Sequence, residues 1–133
     1  MSAKKEKKVD VTERIKSFED AVKATGRPDV PDFSNLPEDL RKYFIAQYKM
    51  LVITEALNEG WEPNWSNHNE GKWVPWFYHA SLSSAGFVFY VAYCNVSNAS
   101  AGDGSRLCFK SDELATYAGT QFIEIWNHIL LKK

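Results

Sequence analysis

The sequence predicts an α+β domain, with a small antiparallel sheet of about three strands packed against two long helices and one short N-terminal helix. Three observations carry this. Apolar residues recur at three- and four-residue steps from Leu40 to Leu57. Gly86 to Cys94 is an unbroken apolar run rich in Phe, Tyr and Val, which are strand-forming types. Ser111 opens a second helical stripe running from Leu114 to Ile129.

The elements follow in order. Residues 1–16 are expected to be a flexible, lysine-rich N-terminal tail, with residues 17–133 forming one domain. Within that tail Val9, Val11 and Ile15 fit a short strand or a helical lead-in equally well. Ser17 offers a cap, Glu19 and Asp20 suit the positive end of a helix, and Gly26 supplies a left-handed stop. Pro28 and Pro31 make 27–36 a connector. Ser34 or Asn35 caps the second helix, with Pro37 in its first turn. Leu40, Tyr43, Phe44, Tyr48, Leu51, Val52 and Leu57 form its stripe, and Met50 to Ile53 are apolar on more than one face, so this helix should be touched on two sides. Gly60 ends it.

Trp73 to Tyr78 fits a short edge strand, where Pro75 is tolerated. From Gly86 to Cys94, Phe87, Phe89, Val91 and Tyr93 share one face, and Val88, Tyr90, Ala92 and Cys94 the other. Both faces are apolar, which predicts a central strand covered on both sides. Residues 95–104 are a Ser/Asn/Gly loop. Ser105 to Lys110 reads as a third strand, paired with the second across that loop. Ser111, Asp112 and Glu113 then start a last helix that ends near Lys132 and Lys133.

The 133 residues suffice for one core without disulfide or metal, and 44% are hydrophobic, so disorder is excluded by composition. The formal charge is −1, which gives no global field toward nucleic acid. Lys4, Lys5, Lys7 and Lys8 against Glu6 nevertheless leave the first eight residues at +3. No apolar run approaches the ~20 residues of a membrane span, and no apolar signal segment follows the N-terminal lysines, so a cytoplasmic protein is expected. Cys94 and Cys108 are too few for a disulfide scaffold.

No catalytic set stands out. His68, His79 and His128 lack metal-ligand spacing, and no paired base and nucleophile is evident. Glu55 and Glu59 sit four apart, the spacing of an ordinary solvated helix face. Gly102-Asp103-Gly104-Ser105 precedes a strand, whereas phosphate loops feed a helix. Neither cofactor nor metal is expected, and the chain reads as a non-enzyme.

The unusual segment is 61–79, with Trp61, Trp65, Trp73 and Trp76 among Asn67, His68 and other polar residues. Four indoles exceed what such a loop buries easily, so some are expected at the surface as a platform for a protein partner or small ligand. Arg106 and Lys110 would add charge. The predicted binding set is therefore Trp61, Trp65, Asn67, His68, Trp73, Trp76, Arg106 and Lys110. The competing reading folds the indoles over the open face of the sheet. Single-stranded nucleic acid, stacked on the rings and held by the lysine tail, is a further possibility opposed by the acidic remainder of the chain.

Several motifs recur as a set: Ala56-Leu57-Asn58-Glu59-Gly60-Trp61, Pro63-Asn64-Trp65, Pro75-Trp76-Phe77, and Ser105 to Ser111 leading into Glu113-Leu114-Ala115 and Tyr117-Ala118-Gly119. Together they resemble a family of small hypothetical proteins of Bacteroidetes and their phages and prophages. The resemblance spans roughly residues 17–131. It implies a phage or mobile-element setting and a place in the bacterial host cytoplasm; the alternative expectation is a structural component located in the virion, and a homo-oligomer or virion assembly is a further expected partner. It implies no reaction and carries no catalytic residue.

Overall fold

The computed structural model describes residues 9–79 and 86–132. The lysines at 4, 5, 7 and 8 lie outside the described residues. Asp10 caps a short helix α1 (Val11–Arg14), its carboxylate accepting from the Thr12 amide at 2.9 Å. Val11 and Ile15 are buried in the main core. The packed part of the chain thus begins before residue 17, and Tyr117 fastens it by donating its hydroxyl to the Ile15 carbonyl at 2.6 Å.

Helix α2 (Phe18–Thr25) is capped by Ser17 and closed by Gly26 at φ 72°, as the local signals predict. Helix α3 (Glu38–Asn58) follows the connector, but neither Ser34 nor Asn35 caps it: Pro37 is the cap residue and makes no side-chain cap bond. The proline's fixed φ sets the entry, and Arg41 reaches back to the Phe33 and Leu36 carbonyls instead. The C-terminal half of α3 holds the centre of the core through Met50, Ile53 and Leu57. It is flanked by α2 on one side and by a C-terminal helix on the other. Leu40, Tyr43 and Phe44, in the N-terminal half, remain exposed. No helix of the described residues is long and apolar enough to cross a membrane.

The sheet has two strands among the described residues, β1 (Lys72–His79) and β2 (Phe87–Asn95), paired antiparallel. The expected third strand, Ser105 to Lys110, is absent. Its residues turn, with the Leu107 amide bonding the Gly104 carbonyl, and only Phe109 pairs, to Trp73 of β1. It therefore lies beside β1, not beside β2 as the long-loop pairing predicts. The reason is that Leu107, Cys108 and Phe109 are all buried, which a regular alternating strand on a one-sided sheet cannot achieve. The Asn58 side chain replaces a neighbouring strand for this segment. It donates to the Cys108 carbonyl at 2.9 Å and accepts from the Lys110 amide at 3.1 Å.

The single last helix predicted from Ser111 onward is two helices, α4 (Asp112–Gln121) and α5 (Ile123–Leu130). Ser111 caps α4 as predicted. The break at Phe122 (φ −109°, ψ 30°) lets Phe122 and Trp126 both turn inward, with the Trp126 indole donating to the Ala118 carbonyl at 3.0 Å. Gly119 of α4 lies against the inner face of the sheet, where an added Cβ would stand 2.5 Å from Phe89 and 3.0 Å from Pro75.

Candidate binding surface

Backbone phase decides which side chains reach the surface. Trp73 exchanges two backbone bonds with Phe109, at 2.9 and 2.7 Å, so its amide and carbonyl face away from β2. Alternation then aims Lys72, Val74 and Trp76 at β2. Pro75, which has no N–H, falls where none is needed for β1–β2 pairing. The register slips by one residue after Trp76: Trp76 opposes Val91, but Phe77 opposes Phe89, leaving Tyr90 as a bulge.

That bulge corrects the predicted faces of β2. Simple alternation groups Phe87 and Phe89 with Val91 and Tyr93. With one extra residue, Phe89 and Ala92 share the face toward the helices, and Val88, Tyr90, Val91 and Tyr93 share the other. Nor is β2 covered on both sides. Tyr90 is 63% exposed, Trp76 53%, and Tyr78 and Tyr93 50% each. These rings form two pairs, Trp76 with Tyr93 at 5.0 Å and Tyr78 with Tyr90 at 5.6 Å between centroids. The result is an open aromatic surface on the outer side of a sheet whose inner side carries α4 and α5.

The other end of that outer face is closed by the loops 61–71 and 96–107. Their anchor is Lys72, which is 0% exposed. Its ammonium donates to the Val96 carbonyl at 2.7 Å and the Asn67 carbonyl at 2.9 Å, stands 3.5 Å from Glu70, and lies 5.4 Å from the centre of the Trp65 ring. The Asn64 amide is the chief influence holding the Glu70 carboxyl below its usual range, with Lys72 and the Trp61 indole adding to it.

The predicted site residues therefore separate. Trp61, Trp65, Asn67 and His68 belong to the Lys72-anchored loop. Trp65 is half-buried, its indole donating to Ser105 at 2.7 Å. Trp73 is half-buried against the core. Trp76 alone of the four stands on the open aromatic surface. Lys110 pairs with Glu59 at 3.6 Å, and exposed Arg106 lowers the Glu55 carboxyl after the larger effect of Arg27. Both cations thus face carboxylates at the end of α3. Sequence reasoning missed Tyr78, Tyr90 and Tyr93: alternation along β1 sets Tyr78 on the face of Trp76, whereas alternation in β2 cannot reveal the bulge that brings Tyr93 to the side of Tyr90.

One pairing has the form of a nucleophile and its base: Ser97 Oγ lies in hydrogen-bond contact with His68 Nδ1. The same hydroxyl donates to the Trp65 carbonyl at 3.0 Å. A hydroxyl has one proton, so the imidazole N–H serves as donor to Ser97. Among the described residues no carboxylate orients the ring. The contact is a clamp between the two loops.

The two cysteines differ in reactivity. Burial, reinforced by Asp103, pushes the Cys108 thiol up to about 11, whereas Cys94 is exposed. Native protein treated with iodoacetamide at about pH 8 should take one label, at Cys94, and a second only on unfolding. Intact-mass measurement before and after denaturation checks this, and native labelling of Cys108 would refute it.

Compared with known proteins, this chain matches no family model, no curated protein and no solved structure.

Proposed function

We propose that this chain is a non-enzymatic binding protein that engages a protein partner with the outer face of β1 and β2, in the phage or mobile-element setting implied by its motif resemblance. The carrying observation is the open row of Trp76, Tyr78, Tyr90 and Tyr93. Tyr and Trp dominate the energetics of protein interfaces because they bring large area, few rotatable bonds and a polar tip. The row contains no Lys or Arg, so it offers nothing to a phosphate backbone, which weighs against the nucleic-acid reading. It also lies on a sheet face away from a cavity lined by α1 with α4 and from another lined by α3 with α5.

The test is a Trp76→Ala, Tyr90→Ala double variant. Proteins retained from host lysate by the native chain are identified, purified and titrated against both forms. The variant should bind at least about tenfold more weakly, with a melting temperature within about 2 °C of native. Equal affinity of the two forms for every retained protein refutes the reading. A salt-dependent shift of labelled oligonucleotides, abolished by the same substitutions, would replace it with single-strand binding.

A further inference from the structure

We propose that the free edge of β2 pairs antiparallel with the same edge of a second copy of this chain, about a two-fold axis at Tyr93. This concerns the edge of the sheet, not its face, and does not depend on the partner proposed above.

The backbone phase that aims Tyr93 and Val91 at β1 aims Ala92 and Cys94 away from it. Among the described residues neither has a backbone partner on that side. At the start of β2 the same edge is already satisfied. The Asn127 side chain accepts from the Phe87 amide at 2.7 Å and donates to the Phe87 carbonyl at 2.9 Å, standing in for a strand. Among the described residues the rest of the edge has no such substitute.

Three features select a second copy as the occupant. Outward amides flank Tyr93 symmetrically, so a two-fold there matches Ala92 of each copy to Cys94 of the other and forms two hydrogen-bonded pairs from one segment. From Phe87 to Asn95 the strand carries no charged side chain, so its copy meets no repulsion. It also lacks the Lys, Pro or inward charge that blunts a strand edge. Finally, the axis sets Tyr93 beside its copy as a non-hydrogen-bonded pair, where side chains approach closely, and joins the two Trp76–Tyr93 pairs into one row. A two-stranded sheet, marginal alone, becomes four-stranded.

Light scattering on the whole chain tests this. The native protein should have twice the chain mass at micromolar concentrations. Ala92→Pro removes the outward N–H while leaving β1–β2 bonding intact, and should give a folded monomer. Because that proline risks unfolding, a second pair of variants is made at exposed Tyr93. Tyr93→Glu and Tyr93→Lys should each be monomeric, and their equimolar mixture should regain the dimer mass. A monomeric native protein overturns the proposal, whether or not a foreign peptide adds to the edge. A dimer unchanged by every one of these substitutions also overturns it. Capture of a partner through Trp76 and Tyr90 is read separately, so failure of one proposal leaves the other standing.

Discussion

Lys72→Met should lower the melting temperature by more than about 10 °C, corresponding to about 3–5 kcal/mol. Methionine keeps most of the stem and the packing but removes the ammonium. The Val96 and Asn67 carbonyls then lose the buried donor that ties their two loops together, and Glu70 loses its cation. Both loops lose their shared tether at once, since the Lys72 ammonium is the group that bonds both the 61–71 and the 96–107 loop. The effect should be localised. Amide exchange should rise first in 61–71 and 96–105, while α3 stays protected until global unfolding. Acid should weaken the same anchor. The folded-state carboxyl of Glu70 lies below its ordinary 4.5, so its contribution is complete above that value and is lost as pH falls through the lower folded value. A Lys72→Met protein within about 1 kcal/mol of native would show that the ammonium is not the anchor.

Asn58→Ala should cost about 2–3 kcal/mol, read as a drop of about 6–10 °C in thermal melting. Asn58 is buried at the end of α3 and serves both the Cys108 carbonyl and the Lys110 amide. Alanine is tolerated by the helix but reaches neither group. The segment 105–110 would then be held mainly by the Trp73–Phe109 bridge and by burial of Leu107 and Phe109. Since Phe109 fixes the edge of β1, loosening should spread to Trp73 and appear in its fluorescence. Asn58→Asp is a sharper control. It keeps the acceptor for Lys110 but brings no donor to Cys108, so loss of stability should persist. A neutral outcome for both variants would refute the role of Asn58 as a strand substitute.

What could be read from the sequence was local. Ser17, Gly26 and Ser111 act within a turn of their own positions, and the stripe on α3 is a property of one segment, so each was legible. Chain reversals and long-range substitutes were not. The predicted last helix breaks at Phe122, beyond which Trp126 bonds the Ala118 carbonyl eight residues back, a pairing that helical spacing does not signal. Asn58 and Asn127 look like ordinary helix residues until each meets a backbone about 50 or 40 positions away. The excess of large rings was legible, and Trp76 stands in the open as expected. Tyr78 shares the Trp76 face by plain alternation, but Tyr93 was not legible there, because a single extra residue at Tyr90 reverses which faces of β2 the downstream side chains occupy. Lys72 was invisible as an anchor, since lysine in an edge strand ordinarily points to water.

The bond between Trp73 and Phe109, together with Pro75, has a consequence for growth of assemblies. At Trp73 the far margin of β1 is already occupied, and two residues on it carries no donor. One margin of the sheet is therefore receptive at Ala92 and Cys94, whereas the other is occupied at Trp73 and interrupted at Pro75. An addition at β2 closes on itself instead of leaving a fresh sticky end, so such a molecule would stop at a finite size and resist drawing out into fibres.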